Sequence, residues 1–577
     1  MEEQKYMRRF ARNFYDPENK LTFIGGGELG GKASGLLRVH ALLNNHFEAA
    51  EFPEFKVSVP TLTVLRTDVF DAFMQTNNLY DIATSDLPDE RIALAFQKAQ
   101  LPFAILGDLR ALIADVHQPL AIRSSSLLED ALLEPFAGIY GTKMTPNNQA
   151  DTDSRFQKLV EAIKFVYAST FFKAAKDYMR ATSHTTSEEK MAIIIQEVVG
   201  KKQEDLFYPD VSGVGRSYNY YAFGKANPAE GIVNLALGLG KTIVDGGLSW
   251  PYSPALPKIA PPFGSINDLM KNTQTHFWAV NMGKPVTYNP IGETEYLLEK
   301  DITVADKGKK LKYSASTLDS QSGRIVMGVG KNGPRVLNFA PILRLNEPPL
   351  NDLLIQLMQL TEKEYQVPVE IEFALNFSDE GIHHFGFLQA RPMHVSHEEV
   401  NLKENDEQQS HLLCSDYVLG NGVNEVLYDI IYLKPETFDT LKTQEIAREL
   451  EKLNTQLGKQ SKPYMLIGFG RWGTSDASAG IPVNWGQIAG AKVIVEATLH
   501  NMNFEQSQGS HFFHNVSGFQ VYYFAVEDSK QIDWKWLNLQ QAVFETHFIR
   551  HIQFNTPLRV MVDGRSGRGR IYKPQQS

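Results

Sequence analysis

PLAIRSSSLLEDALLEPFAGIYGT, residues 119–142, decides how the rest of the chain is read. It opens as an apolar strand (Leu120, Ala121, Ile122), then sets Arg123 before Ser124, Ser125 and Ser126, and continues to Glu129 and Asp130. A Phe-Ala-Gly step follows at Phe136, Ala137 and Gly138. An arginine at a strand end offers a planar fork matched to phosphate oxygens, and the serines add hydroxyl and backbone donors. A structural use fits the same residues: Arg123 paired with Glu129 or Asp130, and the serines capping a helix.

Two further stretches carry comparable chemistry. GGGELGGKASG (25–35) sits between the strand-like LTFI and an amphipathic run with Leu36, Leu37, Val39, Leu42 and Leu43 at helical spacing. Its glycines permit close approach of backbone N–H groups to a phosphate, and Lys32 can neutralise one. A Gly-rich turn without a ligand is the plain alternative. EIEFALNFSDEGIHHFGFLQARP (370–392) places two strand-like runs around a turn at Ser378 to Gly381. If those strands pair, Glu372 and Gln389 point into one cleft and offer the oxygen ligands that Mg²⁺ prefers, with Arg391 close by. A surface hairpin with incidental polar side chains is the alternative here.

The chain of 577 residues has 43% hydrophobic and 21% charged residues, as in ordinary globular proteins. A net charge of −10 argues against a generic nucleic-acid surface. No apolar run reaches the roughly 18–20 residues of a membrane span, and the polar N-terminus does not resemble a secretory signal. The single cysteine, Cys414, excludes an internal disulfide framework and fits a reducing cytoplasm. Residues 1–20 form a polar lead-in, and mixed α and β patterns run over 21–394, including the buried-strand signal MAIIIQEVV (191–199). The polar stretch 395–411 is expected to be a linker. A second unit occupies 412–565, and the basic, Gly-rich 566–577 is expected to be a flexible tail.

Taken in order, these stretches resemble the ATP-binding domain of the phosphoenolpyruvate synthase and pyruvate phosphate dikinase family. GGKASGL (30–36) is similar to that family's G-G-K-[GA]-x-x-L element, and residues 123–138 match R-S-S-x-x-x-E-D-x-x-x-x-x-F-A-G without a gap. MAIIIQ (191–196), GLGKTIVDG (238–246), and EIEF with FGFLQARP echo the remaining three elements. The resemblance implies an α+β fold, with an ATP-grasp nucleotide-binding region over 21–394 followed by a smaller mixed α/β C-terminal domain. It implies ATP and Mg²⁺ as cofactors, with phosphate or nucleotide contacts from Lys32, Arg123, Gln196 and Arg391. The metal-holding pair becomes Glu372 and Gln389. Such sites catalyse phosphoryl transfer mainly by positioning and by countering charge.

Two departures qualify the likeness. The family glutamate of G-L-G-E is Lys241 here, and residues 412–577 leave no room for the family's pyruvate-binding barrel. In the C-terminal unit, LIGFGRWGTSDASAGIPVNW (466–485) offers Arg471 and Asp476 in a Gly-rich setting, and SQGSHFFHN (507–515) offers Ser510, His511 and His514. The Gly-Ser-His step resembles the family's phosphohistidine element, with Phe512 and Phe513 in place of small residues. His511 is therefore a candidate catalytic phosphate carrier, and a packed histidine is the alternative. The resulting expectation is a cytoplasmic dikinase-type phosphotransferase. Its acceptor is a histidine of its own, a histidine on a partner, or a small molecule; self-association is left open. The rival expectation is a nucleotide-sensing regulator that signals through the C-terminal unit without turnover.

Overall fold

The computed structural model describes every residue except 1–4, 13–19, 130–135, 137, 181, 183–188, 220–226, 260–264, 285–286, 309, 394–399, 401, 403–410, 475–479, 500–511, 513–514, 517, 528, 565 and 575–577. The quoted stretch supplies the strand Leu120–Ser126, which lies inside the first sheet. Its order is Arg8–Arg9, Leu21–Ile24, Leu62–Leu65, Met191–Glu197, Leu120–Ser126 and Thr142–Thr145. The first three run parallel, and each later neighbour is antiparallel. MAIIIQE is apolar almost throughout because both faces of its strand are covered, so it lacks the alternation of a half-exposed strand.

A second sheet runs Trp250–Tyr252, Ile232–Ala236, Val211–Arg216, Val369–Asn376, His383–Pro392 and Phe55–Ser58. Its centre is the hairpin read from residues 370–392, with Glu372 opposite Gln389, Glu370 opposite Arg391, and a bulge between Glu372 and Phe373. The helix Gly31–His46 buries Leu36, Leu37, Val39 and Leu42, an apolar stripe that packs on the strand His383–Pro392. A smaller antiparallel sheet of Lys201–Gln203, Leu206–Tyr208, His276–Asn281 and Leu297–Asp301 stands beside these two.

The turn before that helix is shaped by close contact with the quoted stretch. Gly30 has φ of 76°, and a Cβ there would stand 1.8 Å from the Ser125 carbonyl oxygen. Gly31 meets the Glu129 carbonyl oxygen at the same 1.8 Å. Only glycine permits this backbone-to-backbone approach. Ser125 completes the junction: its hydroxyl accepts from Ala33 N at 3.0 Å and donates to Leu29 O at 2.9 Å.

The C-terminal unit forms one mixed sheet, nine-stranded among the described residues. Parallel pairs join Asn421–Leu433, Tyr464–Phe469, Ala491–Ala497 and Tyr522–Val526, with the helix Thr443–Gly458 as one crossover. The expectation of a flexible tail is corrected here. Arg568–Tyr572 is a strand hydrogen-bonded to Ile549–Asp563 on one side and His411–Ser415 on the other. Gly and Arg signal fraying in an isolated segment, but two neighbouring ladders satisfy this backbone. His411, placed by sequence at the end of the linker, already begins a strand.

Phe136, from the Phe-Ala-Gly step, links the two halves of the chain. It is buried 4.4 Å from the Tyr178 ring, which meets Phe519 at 5.3 Å, and Phe519 in turn stacks on Trp485 at 5.4 Å. One continuous hydrophobic core therefore spans both halves. Among the described residues no helix is long and apolar enough to cross a membrane.

The Gly30 contact gives a direct test. Gly30→Ala should lower stability by about 3 kcal/mol, through positive φ together with a backbone clash. Urea unfolding followed by tryptophan fluorescence measures this, and an unchanged midpoint would refute the contact.

Candidate functional site

Arg123 lies half-buried in its strand and reaches out of the first sheet into the second. Its Nη1 donates to Leu388 O at 2.8 Å and to Gln196 Oε1 at 3.2 Å, and its Nη2 donates to Gln389 Oε1 at 2.8 Å. Glu372 Oε2 stands 3.9 Å from the same Nη2. One guanidinium thus gathers Gln196, Glu372 and Gln389, although 73 and 266 residues separate it from the two glutamines. Buried Gln196 Nε2 has no acceptor among the described residues. Such an orphaned donor beside a half-open guanidinium is what an absent oxygen-rich ligand would satisfy.

Lys32 arrives from the other side of the strand end. Its Nζ donates to Glu129 Oε1 at 2.8 Å and to Ser124 Oγ at 3.2 Å. Ser124 Oγ also donates to Glu129 Oε1, and Ser126 N donates to Glu129 Oε2, each at 2.9 Å. Sequence left Arg123 open as the partner of Glu129, but the carboxylate instead faces Lys32. An ammonium has three donors, so Lys32 retains one for a ligand.

Arg391 stands differently. It is only 2% exposed, and its Nε donates to Glu370 Oε1 at 2.9 Å while Nη2 contacts the same oxygen. Arg216 Nε donates to the other oxygen, Glu370 Oε2, at 2.6 Å. Glu370 therefore sits between two buried guanidiniums, two rungs along the hairpin from Glu372 and Gln389. His511 lies outside the described residues, as do Asp130, Asp476, Ser510 and His514.

Lys241, the departure noted in the sequence, pairs with Asp245 at 2.6 Å and lies 5.7 Å from the Trp278 ring centre. Burial opposes its charge, but Asp245 and Glu293 outweigh burial and hold the ammonium above its ordinary pKa. Glu293 belongs to no stretch singled out by sequence. Its Oε1 accepts from Thr142 N at 3.1 Å, and Thr142 is the ladder partner of Arg123. Although the side chain is solvent-accessible, crowding by protein raises its pKa, against the pull of Lys241, the Thr142 N–H and Lys32. Lys143 fixes the segment: its Nζ donates to Asn289 O, Pro290 O and Gly292 O and pairs with Glu295 at 2.7 Å. From the C-terminal half, Arg471 Nη1 donates to Gly246 O at 2.8 Å, next to Asp245.

The Glu372 carboxylate and the Gln389 amide oxygen are donors of the type a hard cation takes, with phosphate oxygens completing its shell. Among the described residues no three His, Cys, Asp or Glu side chains converge as a self-sufficient metal cluster.

A family model described as the pyruvate phosphate dikinase AMP/ATP-binding domain matches residues 27–412, about two thirds of the chain. The chain belongs to this family. Nucleotide binding and ATP-dependent phosphotransfer of the dikinase type are the properties that membership implies. No curated protein matches the chain.

Two outcomes follow from the buried charges. Glu370→Gln removes the carboxylate charge that two buried guanidiniums share and should cost about 3 kcal/mol or more in a urea melt; a loss below 1 kcal/mol would refute the triad. Glu189 accepts from Tyr140 OH at 3.1 Å, and burial raises its pKa from 4.5 to about 7. The folded protein then keeps a proton that the unfolded chain releases, so this contribution is full below about 4.5 and fades as pH rises to about 7. Glu189→Gln should flatten the stability–pH curve across that window by about 3 kcal/mol. An unchanged slope would refute the shift.

Proposed function

We propose that the protein is a Mg²⁺- and ATP-dependent phosphotransferase of the dikinase type. In this reading residues 21–394 form an ATP-grasp region, and residues 412–565 supply or bind the acceptor. Lys32 and Arg123 contact the ATP phosphates, Gln196 donates its free amide N–H groups to the nucleotide, and Glu372 and Gln389 hold the Mg²⁺. The observation that carries it is Arg123, whose fork is oriented by Leu388 and Gln196 and touches Gln389 with Glu372 beside it. Mg²⁺, when bound, supplies charge neutralisation at the phosphate oxygens. The protein's own groups hold those oxygens in place while the acceptor's nucleophile bonds to phosphorus and the bond to the departing nucleotide oxygen breaks.

Arg391 enters as a phosphate contact only once its pair with Glu370 loosens. In the paired form it holds the strand that carries Gln389. The acceptor is His511, a histidine of a partner protein, or a small molecule, and the setting is cytoplasmic. One contact favours the regulatory reading: Arg471 of the C-terminal half bonds to Gly246, so nucleotide-dependent motion of the glycine element would reach that half directly.

ATP labelled separately at the β and γ phosphates, with Mg²⁺ and purified full-length protein, separates the readings. An enzyme yields AMP or ADP, and Lys32→Ala or Arg123→Ala should each lower turnover about 10²- to 10³-fold. Acid-labile label lost in His511→Ala identifies that residue as the carrier. ATP binding without turnover, with cell-derived small molecules and proteins supplied as acceptors, would overturn the enzymatic reading in favour of the sensor.

A further inference from the structure

The C-terminal sheet curls until its edges meet where the strand His411–Ser415 runs on into Val418–Leu419, and Ser415 Oγ donates to Ala525 O at 2.5 Å across the seam. A cavity of about 330 Å³ opens there, lined by Cys414, Ser415, Asp416, Gln531, Arg568 and Arg570. None of these residues belongs to the Arg123 cluster. Strand alternation puts Arg568 and Arg570 on one face, and Cys414 lies opposite Arg570 in the ladder. A protein of net charge −10 therefore concentrates two guanidiniums here. The acidic side chain of the lining, Asp416, lies 3.8 Å from Arg568 and is 80% exposed.

Arg570 is under-satisfied. Its side chain makes one polar contact among the described residues, a weak one from Nη1 to Cys414 Sγ at 3.5 Å. Its Nε is buried without any acceptor there. A buried donor left unmade costs about 1–3 kcal/mol, so a guanidinium held this way beside a polar cavity calls for an acceptor that the fold does not provide.

We propose that this cavity binds a small oxyanion of the phosphate class, either inorganic phosphate or the phosphate monoester of a small molecule. Arg570 grips it through its fork, Arg568 supplies the second positive charge, and the Gln531 amide completes the contacts. Lysines at these two positions would offer point charges without the planar fork that matches two phosphate oxygens.

Cys414 is the chain's single cysteine, so its alkylation reports on this cavity alone. Iodoacetamide labelling of the full-length protein, timed by intact-mass measurement, is followed against inorganic phosphate and against glycerol 3-phosphate. Sodium chloride at matched ionic strength is the control. Both oxyanions should slow labelling saturably, with Lys32→Ala behaving as wild type. Arg570→Gln should shift half-protection to about tenfold higher concentration or abolish it, and Arg568→Gln should weaken it in the same direction. Protection at lower concentration by the ester assigns a monoester site, and the reverse order assigns free phosphate. No protection beyond chloride, or equal protection in folded Arg568→Gln and Arg570→Gln, would overturn the proposal. If Arg570→Gln fails to fold, Arg568→Gln alone decides.

Discussion

The Arg123 guanidinium holds the candidate site together. It projects from the first sheet and is fixed by a carbonyl and two side-chain amides, of which the carbonyl and one amide belong to the second sheet. Without that fork, Glu372 and Gln389 would be ordinary polar rungs of a hairpin, and Gln196 a buried amide in a neighbouring strand. A planar five-donor cation can satisfy several acceptors and still face an open cleft, which a lysine ammonium cannot do in the same geometry. The RSSS strand end then serves a second purpose. Its serines and Glu129 receive Lys32 and the start of the helix Gly31–His46, so one short strand carries one cation and anchors another.

Charge around this centre is arranged in layers. Arg123 and Lys32 remain partly accessible, whereas Arg216, Glu370 and Arg391 are buried, with the Glu370–Arg391 pair two rungs along the hairpin. A buried triad of this kind contributes little net stability compared with an apolar replacement, but its loss of one partner is costly. Its position suits it to fix the hairpin that carries Glu372 and Gln389. Lys241 adds a further cation beside Glu293, with Asp245 and Glu293 as its counter-charges.

Much of this was legible in the sequence because the informative residues sit in short, regular settings. Glu372 and Gln389 follow from strand alternation around a recognisable turn, and Lys32 and Arg123 from their places beside glycines and serines. Glu293 was not legible: its link is to a backbone N–H 151 residues away, and a carbonyl–lysine cradle around Lys143 positions it. The burial of Arg391 was equally hidden, since its partner Glu370 looks like one more acidic residue in an alternating strand. The basic tail misled for a related reason. Gly and Arg are poor strand formers in isolation, and only the strands on either side of Arg568–Tyr572 give its backbone partners. The contact of Arg471 with Gly246 spans 225 residues, and no local pattern announces it.

The central claim is that the bridged guanidinium of Arg123 receives the nucleotide's phosphates, and ATP affinity in Arg123→Lys tests it most directly. Lysine keeps the charge but cannot contact Gln196, Leu388 and Gln389 while also meeting a phosphate. Isothermal titration of ATP with Mg²⁺ should show binding weakened by about 2 kcal/mol, roughly thirtyfold, in a variant whose thermal unfolding still shows a folded protein. Equal affinity in the wild type and the folded lysine variant would contradict the account.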